Sequence, residues 1–180
     1  MFKKLISSAV LTLAFTFTAM NVNAALITQE IVFDDFETDE VEFETIGSLT
    51  INTSDDDGTG LVSRWEDFEL FGFNMLTQEE ADTIDPLLFG GFIAGFNPND
   101  LYAGIDFAQF DVTENFFGFY AFNGFVDQIG TGYLIDVFDF NGGLYVFGEI
   151  AFANTTVVPE PSAIALLLLG LIGLRLRKTV

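Results

Sequence analysis

Hydrophobic positions follow three different patterns along the chain. Residues 5–19 are predominantly apolar without a period, residues 25–157 carry short apolar bursts, and residues 163–174 are apolar without interruption. In the middle stretch helix-period stripes are scarce, while runs rich in Phe, Val, Ile and Tyr recur between Gly, Asn and Asp clusters, as strands do. This pattern predicts strands at 26–36, 41–52, 61–75, 88–96, 101–112, 115–125, 132–140 and 144–153. Ile27, Ile31 and Phe33 set against Gln29 and Asp35, and Val41, Phe43 and Thr45 against Glu42 and Glu44, predict half-buried strands with an acidic outer face. Segment 116–122 is apolar on both faces and predicts a central strand, and Asn141-Gly142-Gly143 supplies the positive φ of a hairpin turn. One helix is expected at 77–84, with Thr77 as N-cap, Glu80 completing a capping box and Pro86 at the exit. Seven or eight short strands make an all-β body, an antiparallel β-sandwich or jelly roll. A less ordered stack of Phe/Gly-rich strands is the alternative, and no internal repeat is visible.

The two ends read differently. Lys3 and Lys4, the apolar run and Val22-Asn23-Ala24 have the layout of a Sec-type signal helix cut after Ala24. At the other end Val158-Pro159-Glu160-Pro161 is stiff and extended, because each proline fixes its own φ and disfavours helix in the residue before it. The apolar run that follows covers about 18 Å as a helix, against a hydrocarbon core of about 30 Å. Taken over 161–176, with the arginines reaching outward, it covers about 24 Å, a marginal transmembrane helix. Arg175, Arg177 and Lys178 would hold its end in the cytoplasm, leaving the body outside. The chain therefore divides into a signal peptide (1–24), a body (25–157) and a tail (158–180).

This tail resembles the PEP-CTERM sorting signal of Gram-negative bacteria. Pro159-Glu160-Pro161, the Leu/Gly-rich helix and the terminal Arg175, Arg177 and Lys178 carry the resemblance. A sortase signal would show Leu-Pro-x-Thr-Gly instead, and a GPI signal would not end in a basic cluster. The resemblance implies Sec export, a precursor anchored transiently in the inner membrane, and processing by an exosortase. Beyond that, it implies delivery to the cell surface or to the exopolysaccharide matrix of a biofilm. It covers 158–180 and says nothing of the body.

Charge sharpens the picture of that body. Of the chain's 27 acidic residues all but Glu160 lie there, against Arg64 alone, so 26 acids meet one base for a net charge of −25. Such a surface repels nucleic acid and attracts cations or cationic polymers. Disorder, the usual companion of this imbalance, requires few aromatics, whereas the body holds all of the 23 phenylalanines except Phe2, Phe15 and Phe17. Cysteine and histidine are absent and the body has no lysine. Disulfides, thiolate chemistry, Cys/His zinc sites, Ser–His or Cys–His dyads and lysine Schiff bases are excluded.

What chemistry remains rests on carboxylates and aromatic faces. Asp55-Asp56-Asp57-Gly58 invites calcium, with Asp55, Asp57 and either Asp34 or Asp35 as donors. An EF-hand is excluded, because Gly58 at the sixth position puts Thr53 first and Arg64 twelfth. A solvated turn is the plainer reading of that loop. Glu66 with Asp67, or Asp136 with Asp139, has the makings of a glycosidase pair, but nothing singles one out among 26 acids. Trp65 beside Arg64 suggests a sugar-stacking patch, against a core tryptophan and an arginine paired with Glu66 or Asp67. Asn52 and Asn154 open N-glycosylation-like triplets of little weight in a bacterium. The expectation is a non-enzymatic structural or adhesive surface protein without a cofactor. A calcium- or carbohydrate-binding module is the alternative, and a carboxylate-dependent hydrolase stands third.

Overall fold

A computed structural model describes residues 25–35, 42–116, 118–127, 133–139 and 141–159. The expected signal helix and C-terminal membrane helix lie outside these residues. Among the described residues no helix is long and apolar enough to cross a membrane. The strands are β1 (Ala25–Asp35), β2 (Glu44–Asn52), β3 (Leu61–Val62), β4 (Asp67–Leu70), β5 (Phe73–Asn74), β6 (Phe89–Phe96), β7 (Ile105–Thr113), β8 (Tyr120–Val126), β9 (Leu134–Asp139) and β10 (Leu144–Pro159). Helix α1 (Gln78–Ile84) stands between β5 and β6.

The all-β expectation holds, and the described strands join one sheet in the order β3-β6-β7-β8-β9-β10-β1-β2-β4-β5. Alternation explains how that sheet makes a core. Ile27 and Ile31 on β1, Leu49 and Ile51 on β2, Phe110 and Val112 on β7, and Ile135 and Val137 on β9 all point to one side and are buried. To bury that face the sheet curls, bringing β4 over β7 and the β4–β5 turn over β8. Phe68 meets Phe110 at 5.2 Å and Phe71 meets Phe122 at 6.4 Å. A bridge between Met75 and Glu114 ties the β5 side back to the end of β7.

Gln29 shares the inward face with Ile27 and Ile31 instead of opposing them, because residues two apart on a strand point the same way. Its side-chain oxygen accepts the amide of Ile105 at 2.7 Å and its Nε2 donates to the carbonyl of Ala153 at 3.4 Å. One buried amide thus joins β1, β7 and β10. Gly104 makes room for it, since a Cβ there would lie 2.4 Å from the Gln29 oxygen.

Several expected strands come out differently: 101–112 opens with a 3-10 turn at Leu101–Ala103, and the strand expected at 41–52 runs from Glu44. Segment 61–75 breaks into β3, β4 and β5, because Phe71 (φ 52°) and Gly72 (φ 79°) form a two-residue hairpin turn. Phe116, Gly118 and Phe119 lie outside the strands, so the expected central strand starts only at Tyr120. The Glu114 carboxylate accepts the amides of Phe116 and Phe119, which pulls the backbone out of the ladder. Strand β10 continues past Ala153 to Pro159, six residues beyond the expected end. The helix forms as expected, with both hydrogen bonds of the capping box between Thr77 and Glu80 in place. The turn at Asn141–Gly143 also forms, its amides of Asn141 and Gly143 each 2.9 Å from the Asp139 carboxylate.

Candidate functional site

Three places carry the predicted site residues. The first is the end of β10. Gly148 approaches Asp34, and Asn154 donates to Glu30 at 2.6 Å, so β10 runs antiparallel to its neighbour β1. From Ala153 to Val158 its side chains alternate between half-buried and exposed, with Val157 packed on the core and Val158 turned outward. The strand closes at Pro159. Ala24, Glu160, Pro161, Arg175, Arg177 and Lys178 lie outside the described residues.

The second place is the aspartate loop. Asn52 caps a 3-10 turn over Thr53–Asp55, accepting the amide of Ser54 at 2.9 Å. Each following carboxylate is then engaged locally. Asp55 forms a two-pronged ion pair with Arg64. Asp56 accepts the amides of Gly58 at 2.9 Å and Gly60 at 2.7 Å. Asp57 accepts the hydroxyl and the amide of Thr59, which hold its carboxyl below the usual range. Asp34 and Asp35 do not join them. The β1–β2 ladder pairs Leu26 with Asn52 and Phe33 with Glu44, which puts those two aspartates about 25 Å away along the strand. Among the described residues no three acidic side chains gather as metal ligands. The loop is closed by its own hydrogen bonds.

The third place is a cleft of about 720 Å³ between the 63–66 segment and α1, with Arg64, Trp65, Glu66, Gln78, Asp82 and Phe89 on its walls. Trp65 belongs to the core: it is 8 % exposed and meets Phe92 at 4.7 Å, Phe68 at 5.4 Å and Phe89 at 5.8 Å. Arg64 pairs with Asp55, across the loop, and not with its neighbours Glu66 or Asp67. Glu66 instead accepts the side-chain amide of Asn52 at 3.1 Å. The cleft so made is lined by the aromatic Trp65 and Phe89 together with carboxylate, amide, hydroxyl and guanidinium groups. Asp136 and Asp139 sit on β9, where the Asp139 carboxylate is committed to the turn.

Sequence reasoning passed over Glu114. It is 1 % exposed, and its position after the alternating run of β7 resembles any strand-end acid. Only the exposed phenylalanines that follow it offer a signal, because a loop of that kind needs an anchor.

Comparison with known proteins fits the first place. The family model of the PEP-CTERM protein-sorting motif matches residues 157–178. No curated protein and no solved structure matches the chain. The chain thus carries an exosortase-directed sorting motif, the mark of an exported protein that passes through a membrane-anchored precursor. The matched motif begins on the last strand of the body: Val157, Val158 and Pro159 belong to both.

Proposed function

We propose that this chain is a non-enzymatic structural or adhesive protein of a Gram-negative cell surface or exopolysaccharide matrix. The sorting motif, which begins on the final strand of an acidic all-β body, is the observation that carries this reading. The body then works by contact, not by turnover. An acidic exterior keeps it soluble and off nucleic acid and anionic lipid, while its phenylalanines form the core. Exopolysaccharide is the proposed partner. The cleft at Trp65 supports this, because polar groups around aromatic edges suit a hydroxyl-rich ligand.

Mass spectrometry of the native protein from strains with and without the exosortase tests the reading. A mature species starting at Ala25 and ending beyond Pro159 is expected only when the enzyme is present, co-sedimenting with the extracellular polysaccharide. A tail intact through Val180 in both strains would leave an ordinary membrane-anchored protein. Correct processing with no polysaccharide association would keep the sorting route and remove the matrix role.

A further inference from the structure

We infer that the cleft between the 63–66 segment and α1 selects polysaccharides that carry free amino groups, polymers of unacetylated amino sugars. The inference rests on the proposed polysaccharide partner and narrows it. At about 720 Å³ the cleft falls within the range of about 300–1,000 Å³ usual for ligand sites.

Local structure decides which groups face the cleft. The capping box starts α1 at a fixed place, the Thr77 hydroxyl accepting the amide of Glu80 at 3.3 Å and the Glu80 carboxylate accepting the amide of Thr77 at 2.9 Å. Residues three and four apart then share a helix face. Gln78, Glu79, Asp82 and Thr83 form that face, all exposed and all lining the cleft, while Ala81 is buried. Glu66 lies on the other wall, steadied by the side-chain amide of Asn52 at 3.1 Å.

Charge decides the ligand. The lining carboxylates are Glu66, Glu79 and Asp82, and the one lining cation, Arg64, is already paired with Asp55. No other basic residue exists between 25 and 157, so a uronate or sulfated polymer finds no cation to receive it. Trp65, Phe89 and Gln78 suit a neutral sugar and a charged one alike, and so do not discriminate. An ammonium on the sugar does discriminate, because its hydrogen bonds to carboxylates are charge-assisted and about twice as strong as neutral ones. The acidic body also draws a polycation toward the cleft, and this attraction falls as salt screens it.

The test is calorimetric titration of the full-length protein, held in detergent, with β-1,4-linked hexasaccharides of glucosamine and of N-acetylglucosamine. The two differ only in their acetyl groups. Mildly acidic solution keeps the carboxylates ionised and the sugar amines protonated. The glucosamine form is expected to bind about tenfold more tightly, with an advantage that shrinks as salt rises. Glu79→Gln combined with Asp82→Asn should remove that advantage and leave the acetylated form unaffected. Asp100→Asn should change neither by more than about twofold, because Asp100 is exposed beyond the end of β6 away from Phe89. Native Trp65 emission verifies the fold of each variant.

Equal affinity for the two hexasaccharides overturns the inference and leaves the polysaccharide partner in place. A loss with Asp100→Asn as large as with the double variant also overturns it, since attraction to the whole acidic body would then suffice. An oligolysine bound as tightly as the glucosamine form would reassign the cleft to basic peptides and overturn it equally. If neither hexasaccharide binds, the inference falls, and co-sedimentation of the native protein with its own polysaccharide decides separately whether the matrix role falls with it.

Discussion

Phe71 takes a left-handed backbone conformation, at φ 52°, that side chains with a Cβ avoid at about 1–2 kcal/mol. A two-residue turn between twisted strands needs positive φ at both central positions, and asparagine followed by glycine is the usual solution. Phenylalanine stands here because its ring packs edge-on to Phe33 at 5.3 Å and stacks with Phe122. Such ring pairs contribute about 0.5–1.5 kcal/mol each beyond the area they bury. Burial therefore outweighs the backbone strain. Phe71→Asn should relieve about 1 kcal/mol of strain, lose about 2–3 kcal/mol of packing, and lower stability by about 1–2 kcal/mol in denaturant unfolding. A stabilised variant would mean that the ring contacts are worth less than the strain they hold.

Strand β10 shows how far an element reads beyond its expected end. The strand was expected to end at Ala153 and the tail to begin at Val158, yet Thr155 and Val157 continue the half-buried alternation with β1 alongside. Substitutions at adjacent positions should therefore differ. Val157→Asp puts a carboxylate against the core and should lower stability by about 2 kcal/mol, while Val158→Asp, on the exposed side, should change it by less than about 0.5 kcal/mol. Thermal melts of the two full-length variants decide it, and equal effects would place 157–158 off the sheet. The same contrast explains what was legible. The capping box and the Asn-Gly-Gly turn are local signals, and each appears in its expected place. The hairpin at Phe71 was hidden, because its turn carries a residue chosen for distant ring contacts. The exposed places of Phe116 and Phe119 were hidden too, because phenylalanines look buried until the Glu114 carboxylate holds their amides. At the aspartate loop, composition suggested a ligand cage, but strand register decides which carboxylates meet, and register depends on the fold.

For the whole body the decisive quantity is one arginine against 26 acids, with that arginine already held by Asp55. Like-charge repulsion then acts against the folded state at neutral pH. Two groups mark opposite limits as pH falls. Burial, helped by the negative charge of Asp127, raises the pKa of Asp106. Its charged form is penalised in the folded state, and that penalty disappears as pH drops through the raised value. Asp57 behaves oppositely: hydrogen bonds from Thr59 lower its pKa, so its contribution is present above the unfolded value and lost as pH falls through the folded one. Stability should therefore peak on the acid side of neutrality, between the raised value of Asp106 and the lowered value of Asp57. Melting temperature measured from neutral to strongly acidic pH should rise, pass a maximum and then fall. Asp106→Asn should raise the neutral-pH value and flatten the rise without moving the acid-side fall. A melting temperature that declines steadily from neutral pH would mean that the hydrogen-bonded carboxylates at the turns dominate the electrostatics, and that the large negative charge costs the fold little.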